Sequence, residues 1–368
     1  MIVKKIFLIF LSGFIVPALF AQEKNSISGR VLNTQNGSPI ANASVYIENS
    51  SQGTQTTEKG EFILYNVRSG NFKLVVSYIG FNTKTFKLNG DNFPIKLDVG
   101  LDVKPAELEA VTVKGFIRDG WDKWGPLFME NFMGTSTIAR EATITNYKAL
   151  RFRFITDRML QVTAKEPLKI ENKALGYRLN YELDEFTYDT AAHRVLFQGN
   201  RYFEDMAKEQ KKVSKRWLGN RKLAYEGSIM HFMRSLYQNR LIEEGFEVTR
   251  NIRKGTDYYV NISPKPITAD SIRIVVDGQV QGLYFKDYLS VVYKNAKSDA
   301  QYVNPESGKA GGTWRQYSTI SLQRDQVISV ESNGNYYPPL SLFLLGYWAW
   351  NEKIGHLLPL DYDPHASP

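Results

Sequence analysis

The sequence predicts a mostly β protein, in which a seven-stranded N-terminal β-sandwich is followed by an α+β domain with an antiparallel sheet and a few helices. Short alternating strands, separated by turns at almost fixed spacing, run from Ile27 to Phe81. Apolar and polar residues alternate again after Ile144, and two apolar stripes recur at helical spacing. With 368 residues, 43% of them hydrophobic, the chain is long and apolar enough for two packed domains.

The first 21 residues have the layout of a secretory signal peptide. Lys4 and Lys5 form a basic start, residues 6–16 form a short apolar run, and Ala21 offers a cleavage site. The alternative is a membrane anchor, but this run is shorter than the roughly 20 apolar residues that a spanning helix needs. We therefore expect an exported protein that is cleaved after Ala21 and located in the periplasm or at the outer membrane.

The segment that follows carries turn residues in a recognisable order. Its markers are Gly29, Gly37, Pro39, Gly53, Gly60, Phe62, Gly80 and Phe81. This order resembles the carboxypeptidase regulatory-like domain, a transthyretin-like sandwich that often opens secreted and outer-membrane proteins of Bacteroidetes. The resemblance implies a sandwich over residues 25–114 whose last strands are 95–99 and 108–113. It implies no activity, because this fold serves many proteins as a non-catalytic module.

Residues 115–368 are predicted to form one α+β domain. Apolar residues at helical spacing predict a helix within 115–135 and another from Ser228, its N-cap, to about Leu241. Alternation predicts strands at 150–154, 160–163, 177–181, 195–198, 258–260, 272–276, 289–293, 320–322 and 327–330. The apolar segment 338–358 is too interrupted to span a membrane, and we expect it to form a buried helix.

Four segments of this domain also look familiar. Residues 166–172, 175–177, 225–232 and 346–350 resemble a group of uncharacterised exported Bacteroidetes proteins. Those proteins pair a regulatory-like sandwich with one further domain. The resemblance supports the two-domain organisation and implies no activity.

One basic segment carries much of the positive charge. The formal net charge of +8 becomes +6 once Lys4 and Lys5 are removed, because residues 1–21 contain no acid. Against the single acid Glu209, the segment holds Lys208, Lys211, Lys212, Lys215, Arg216, Arg221 and Lys222. In an exported protein this segment favours peripheral contact with an anionic membrane surface or an acidic protein patch, and not with nucleic acid. The alternative is a solvated basic face without a partner.

The sequence contains none of the common catalytic signatures. It has no Gly-x-Ser-x-Gly elbow, no Ser-x-x-Lys, no His-Glu-x-x-His and no phosphate-binding glycine loop. Residues 308–312 come closest to the last of these, and we interpret them as a flexible turn. The absence of cysteine excludes disulfides and thiolate metal sites. The four histidines have no convergent spacing, so we expect no metal and no cofactor.

Two catalytic arrangements stay open. Ser228 and His231 lie one turn apart on a predicted helix, so they could touch as nucleophile and base. The alternative is that Ser228 caps the helix and His231 packs at a domain surface. Carboxylate pairs for glycoside hydrolysis could come from neighbouring acids, although such acids are normally solvated. These are Glu182, Asp184 and Glu185, and Glu243 and Glu244.

Tryptophan is the remaining sign of a ligand. The six tryptophans, at 121, 124, 217, 314, 348 and 350, could stack on the apolar face of a sugar or pack in cores. Trp314 follows the glycine-rich turn and precedes Arg315, so these two residues are the ligand-binding candidates. The sequence favours an exported envelope protein without catalytic activity that acts as a binding or adaptor module. The alternatives are a glycan-binding protein or a hydrolase, and the oligomeric state is left open.

Overall fold

The structure is a computed structural model that describes residues 25–104, 115–209, 213–254, 258–263, 265–276, 280–305, 307–323 and 326–365. Strands account for 42% and helices for 19%, so the protein is mostly β with an α+β region. The chain divides into two compact units. Of the described residues, the first unit takes 25–46 and 53–104, and the second takes 47–52 and those from 115 onwards. The expected signal peptide lies outside the described residues.

The first unit is a sandwich of short strands. These are β1 (Ile27–Asn33), β2 (Ser44–Ile47), β3 (Gly53–Gln55), β4 (Glu61–Leu64), β5 (Asn71–Ser77), β6 (Lys84–Asn89), β7 (Ile95–Lys96) and β8 (Val99–Leu101). One sheet has the order β4-β1-β7, with β8 also pairing with β1, and the other has the order β3-β2-β5-β6. Side chains alternate as expected, since Phe62 and Leu64 are buried in β4 while Glu61 and Ile63 are exposed.

The sandwich has eight described strands where the sequence predicts seven. The predicted strand 95–99 is two strands, β7 and β8, which pair in parallel with successive parts of β1. Between them the Asp98 carboxylate, and not a backbone carbonyl, accepts the Arg30 N–H at 3.1 Å. Gly29 permits this crossing, because a Cβ there would lie 1.9 Å from the Leu97 carbonyl oxygen. The predicted strand 108–113 lies outside the described residues.

The second unit contains four α-helices among its described residues, and the remaining strands. The helices are α1 (Gly120–Phe128), α2 (Lys215–Tyr225), α3 (Ile229–Tyr237) and α4 (Tyr347–Asn351). The strands before α2 are β9 (Ala142–Ile144), β10 (Leu150–Phe154), β11 (Met159–Ala164), β12 (Leu168–Asn172), β13 (Tyr177–Asp189) and β14 (Arg194–Asp205). Those after α3 are β15 (Phe246–Lys254), β16 (Tyr258–Asn261), β17 (Arg273–Val276), β18 (Val280–Leu283), β19 (Tyr288–Lys297), β20 (Arg315–Leu322), β21 (Ile328–Val330), β22 (Tyr336–Tyr337) and β23 (Leu342–Gly346).

A six-stranded antiparallel sheet surrounds the first core of this unit. Its order is β10-β11-β13-β12-β9, and β14 pairs with β13 along nearly its full length. The continuation of α1, a π-helix over Met129–Met133, places Phe132 against this sheet. The ring of Phe132 meets Tyr181 edge-on at 5.1 Å, an arrangement that aromatic pairs favour.

Two further sheets share the second core. A five-stranded sheet has the order β16-β15-β19-β20-β23, and a four-stranded sheet has the order β17-β18-β21-β22. Helix α3 contributes the fully buried Phe232 and Met233 to this core, and α4 contributes Trp348. The helix predicted from Ser228 to about Leu241 is therefore confirmed with Ser228 as its N-cap, but it ends earlier, at Tyr237.

The C-terminal segment corrects the expectation of one buried helix over 338–358. Residues 342–346 form β23, whose side chains alternate between buried Leu342 and exposed Phe343. The strand stops at Gly346, which has φ of 72°, and the short helix α4 follows. Burial that alternates from one residue to the next is typical of a strand, because a helix would bury residues that are three and four positions apart. Across the described parts of the chain, no helix combines the length and hydrophobicity needed to cross a membrane.

Candidate functional site

A groove opens where the pairing of β19 with β20 is interrupted. The strands pair residue by residue from Leu289 to Tyr293, and the register then shifts so that Lys297 pairs with Arg315. Extra residues on one strand form a bulge, which bends the strand and redirects the chain that follows. The loop 298–314 leaves the sheet at this bulge and returns to begin β20.

Backbone hydrogen bonds hold the loop 298–314 in shape. The Ser298 N–H donates to the Trp314 carbonyl at 2.8 Å and closes the base of the loop. Further out, the Gly311 N–H donates to the Tyr302 carbonyl at 2.6 Å. These bonds fix the position of Trp314 relative to the sheet.

Glycines allow the two sides of the loop to approach each other. A Cβ at Gly311 would lie 1.9 Å from the Asp299 carbonyl oxygen, so only glycine fits there. Gly308 and Gly312 have φ of 66° and 82°, a region that other residues enter at a cost. The glycine-rich turn seen in the sequence thus forms a hydrogen-bonded wall of the groove.

The groove has a volume of about 640 Å³ and a mixed lining. Aromatic rings, hydroxyl and amide groups, and two cations face it. The lining residues are Val292, Ser298, Tyr302, Asn304, Ser307, Lys309, Ala310, Gly311, Thr313, Trp314, Arg315 and Tyr317. Glu306 lies outside the described residues. Small-molecule sites are commonly clefts lined by apolar and aromatic side chains with a few convergent polar groups.

Trp314 and Arg315, the ligand-binding candidates from the sequence, both line this groove. Trp314 is 56% exposed. The ammonium of Lys309 lies 4.9 Å from the centroid of its ring, within the range of a cation–π interaction. The Arg315 guanidinium donates a hydrogen bond to the Lys294 carbonyl at the bulge. Lys309 precedes Trp314 in the sequence and Arg315 follows it, and both cations line the same groove.

Tyr317 adds a second exposed ring to the groove. It is 40% exposed, and its hydroxyl lies 2.7 Å from the Ser290 Oγ on the neighbouring strand. The Ser290 Oγ in turn accepts a hydrogen bond from the Asn251 amide. This chain across three strands fixes the orientation of the phenol ring before any ligand arrives.

Ser228 and His231 do not form a nucleophile–base pair. The Ser228 Oγ accepts the His231 backbone N–H at 3.1 Å and so caps α3. The His231 Nδ1 accepts the Gly227 N–H at 3.2 Å, and its Nε2 lies 3.4 Å from a Glu244 carboxylate oxygen. Burial lowers the pKa of His231, and the nearby Glu244 opposes that shift. The ring packs against Tyr225 at 4.7 Å between centroids.

The carboxylate candidates are placed as surface or supporting groups. Asp184 and Glu185 are exposed at a bulge in β13, and Glu243 is exposed after α3. Glu244 is held by Arg240 at 3.2 Å as well as by His231. Within the described part of the chain, no group of three or more His, Asp or Glu residues could hold a metal ion.

The described residues of the basic segment differ in burial and in their partners. Arg221 is buried, Arg216 pairs with Glu141, and Lys222 lies 3.7 Å from Glu226. The Lys208 ammonium lies 3.4 Å from the Ser51 carbonyl, and Lys215 is exposed. Lys211 and Lys212 lie outside the described residues. Contact of this segment with an anionic membrane surface stays a prediction.

Sequence reasoning missed several groove residues. Lys309, Tyr317, Asn304 and Ser307 come together because of the bulge and the folded loop, and no spacing rule predicts that convergence. The one available signal was the glycine cluster 308–312 immediately before Trp314. It indicated a turn, but not what the turn encloses.

Comparison with known proteins identifies the first unit. Residues 27–113 match the family model of the CarboxypepD_reg-like domain. This match confirms the resemblance that the turn residues carry. The groove lies outside the matched range. No curated protein matches the chain.

Solved structures give distant similarities. A type II cohesin–X-dockerin complex from Acetivibrio cellulolyticus is 16% identical over 31% of this chain and 76% of that chain, with a TM-score of 0.20. A putative carbohydrate binding protein from Bacteroides uniformis is 10% identical over 51% and 82%, with a TM-score of 0.17. A putative membrane-associated protein of unknown function from Bacteroides fragilis is 13% identical over 84% and 94%, with a TM-score of 0.19. At such TM-scores these similarities carry no argument about function.

Proposed function

We propose that the protein is an exported binding protein of the cell envelope, without catalytic activity, and that its second unit binds carbohydrate in the groove beside Trp314. The observation that carries the proposal is a tryptophan that is 56% exposed on the wall of a groove of about 640 Å³. The signal-peptide pattern and the CarboxypepD_reg-like domain support an envelope location.

Carbohydrate fits this groove because a sugar ring has an apolar face and a polar edge. The exposed rings of Trp314 and Tyr317 offer planar apolar surface to the first. Side chains that can donate to and accept from hydroxyl groups surround them, namely Ser298, Asn304, Ser307 and Thr313. An exposed aromatic surface rimmed by polar groups is typical of a recognition site.

Binding without catalysis fits the chemistry of the lining. The described residues that line the groove include no histidine and no carboxylate. These groups perform most general acid–base catalysis. The best-placed histidine, His231, is instead engaged by Gly227 and Glu244. We therefore expect incubation with oligosaccharides to leave them intact.

A second candidate function is docking of a protein partner, and β23 favours it. This strand lies at the end of the five-stranded sheet, and its side chains Phe343 and Leu345 are 52% and 47% exposed. Edge strands with exposed apolar side chains can pair with a strand of another chain. This surface would make the protein an adaptor.

The test of the proposed function is calorimetric titration of the mature chain with a panel of soluble oligosaccharides, acidic and neutral. We expect at least one oligosaccharide to bind. Trp314→Ala should weaken its affinity about tenfold or more, because the ring contributes ~1 kcal/mol from stacking in addition to the apolar surface area that it buries. Phe343→Ala is the matched control, because Phe343 is similarly exposed but does not line the groove. It should leave the affinity unchanged.

Two results would overturn the carbohydrate proposal. One is a panel in which nothing binds. The other is binding that Trp314→Ala leaves intact. Cross-linked capture of an envelope protein that is lost with Phe343→Asp, but kept with Trp314→Ala, would favour the adaptor function.

A further inference from the structure

We propose that the saccharide bound in the groove is acidic and carries carboxylate groups of the uronic acid type. This inference rests on the proposed function and narrows it to one class of ligand. It is carried by the charge of the groove and by the position of that charge beside the exposed tryptophan.

The charged residues among the described groove lining are Lys309 and Arg315, both cations. Both side chains are exposed, so a ligand in the groove can reach them without moving the core. A lining that is net positive attracts anionic ligands and disfavours cationic ones.

Asp299, the acid of this loop that the structure describes, does not offset the charge of the described lining. Asp299 follows the lining residue Ser298 directly, but its carboxylate accepts three hydrogen bonds from Thr137 and Gln301. One oxygen accepts the Thr137 N–H at 2.9 Å, and the other accepts the Thr137 hydroxyl at 3.0 Å and the Gln301 N–H at 2.8 Å. Asp299 is not among the lining residues.

The cations are placed where an acidic sugar would need them. The Lys309 ammonium is held 4.9 Å from the Trp314 centroid, so positive charge accompanies the stacking surface. Arg315 is anchored by its bond to the Lys294 carbonyl at the bulge. A guanidinium also matches the planar fork of a carboxylate. A uronic acid presents an apolar ring face and a carboxylate on one residue, which matches this pairing of ring and cations.

The experiment compares acidic oligosaccharides with their carboxyl-reduced counterparts, which have the same linkages but no charge. Oligogalacturonate, oligo-alginate and oligo-hyaluronate are titrated into the mature chain at low and at physiological salt. We expect at least one acidic form to bind about tenfold or more tightly than its reduced form. The difference should shrink as salt rises, because exposed charges are screened.

Substitution of the cations locates the effect. Lys309→Gln and Arg315→Gln should each weaken binding of the acidic ligand about three- to fivefold and change binding of the reduced ligand by less than about twofold. Lys286→Gln is the matched control, because Lys286 is an exposed cation of the same unit that does not line the groove. Its effect on both ligands should be within about twofold. Arg315 also bonds the Lys294 carbonyl, so Arg315→Gln could disturb the bulge itself. Lys309→Gln still tests the role of charge in that case.

The outcomes separate the two proposals. Equal binding of acidic and reduced forms, or preference for the reduced form, overturns the acidic-ligand inference and leaves the proposed function standing. A preference for acid that survives both substitutions also overturns it. Failure of every oligosaccharide, charged or neutral, overturns the proposed function together with the inference.

Discussion

Arg221 is buried inside the second unit, although it belongs to the basic segment of the sequence. It forms a bidentate ion pair with Asp205, at 2.7 and 3.1 Å, and donates to the carbonyls of Leu175 and Gly176. Its guanidinium also lies 3.9 Å from the Tyr177 ring centroid. Burial with this many partners makes Arg221 a structural residue, so it is not available to a partner that contacts the basic segment.

Arg221→Met should therefore destabilise the protein strongly. The substitution leaves the Asp205 carboxylate without its cation and the Leu175 carbonyl without the donor that Arg221 supplies. Together these losses should lower the free energy of unfolding by ~3–5 kcal/mol. Lys222→Met is the matched control, since this neighbour is exposed, and its effect should be within about 0.5 kcal/mol. Urea denaturation measures both. If both substitutions changed the free energy of unfolding by the same amount, Arg221 would not be the buried structural residue that these contacts indicate.

Glu352 is a titratable group in an unusual position. Its carboxylate accepts the Ile229 N–H at 3.0 Å at the start of α3. Burial raises the pKa of Glu352 to about 7, and the opposing effects of this hydrogen bond and of Arg201 are smaller. The folded protein therefore holds a proton on Glu352 at pH values where the unfolded chain, with a pKa near 4.5, has lost it.

Glu352→Gln should change how stability depends on pH. Glu352 contributes stability that is fully present below about pH 4.5 and is lost as pH rises through about 7, because the folded state binds more protons there. Glutamine keeps the acceptor for Ile229 and does not titrate. As the pH rises from 4.5 to 8, the free energy of unfolding of the variant should therefore increase relative to that of the wild type by up to ~3 kcal/mol. The increase is smaller to the extent that water solvates the Glu352 carboxylate in the folded wild type.

Urea titrations across this pH range measure the difference between the two proteins. Both keep His356, whose pKa burial lowers to about 4, so its effect on stability cancels in the comparison. A difference that stays constant from pH 4.5 to pH 8 would show that Glu352 titrates as it does in the unfolded chain.

The junction before α3 depends on one glycine. Gly227 has φ of 81°, its carbonyl accepts the Trp348 indole N–H at 2.7 Å, and its own N–H donates to His231. A Cβ there would lie 2.7 Å from the Tyr293 ring and 2.1 Å from the Gln316 Oε1. The conformation and the lack of space both require glycine at this position. The bond from Trp348 to the Gly227 carbonyl connects the start of α3 to the second core.

Gly227→Ala should lower the free energy of unfolding by at least ~2 kcal/mol, because strain at positive φ adds to the clash with a buried ring. Gly219→Ala is the control within a neighbouring element. Gly219 lies inside α2 with no atom within 4 Å of an added Cβ, so alanine should stabilise the helix by ~0.5–1 kcal/mol. Thermal unfolding distinguishes the two directions. A neutral Gly227→Ala would contradict the packing at this junction.

The elements differ in how far the sequence could predict them. Helix α3 was predictable, because its apolar stripe and its serine cap are local signals. Helix α2 was not, because its buried face is mixed and includes Arg221, and its Trp217 donates to the Lys173 carbonyl. Strand β23 was mistaken for helix because consecutive leucine, phenylalanine and tryptophan residues hide the alternation that decides between the two.

At the scale of the whole molecule, the sequence predicts its class and its first unit, because turns and alternation are local properties. It also predicted that Trp314 is exposed, which the structure confirms, while the role of Trp314 and Arg315 in ligand binding stays a prediction. It could not predict the groove itself. That arrangement depends on the register shift between β19 and β20 and on a loop whose ends meet only in the folded chain.

The central claim, that Trp314 contacts a bound saccharide, is tested most directly by the indole N–H resonances of the nitrogen-15-labelled mature chain. The Trp314 signal is identified by its loss in Trp314→Phe, and the chain is titrated with the tightest-binding acidic oligosaccharide. The account predicts a saturable shift of the Trp314 signal with the calorimetric Kd, while the signal of the buried Trp348 stays in place. Saturable binding that leaves the Trp314 signal unmoved would contradict it.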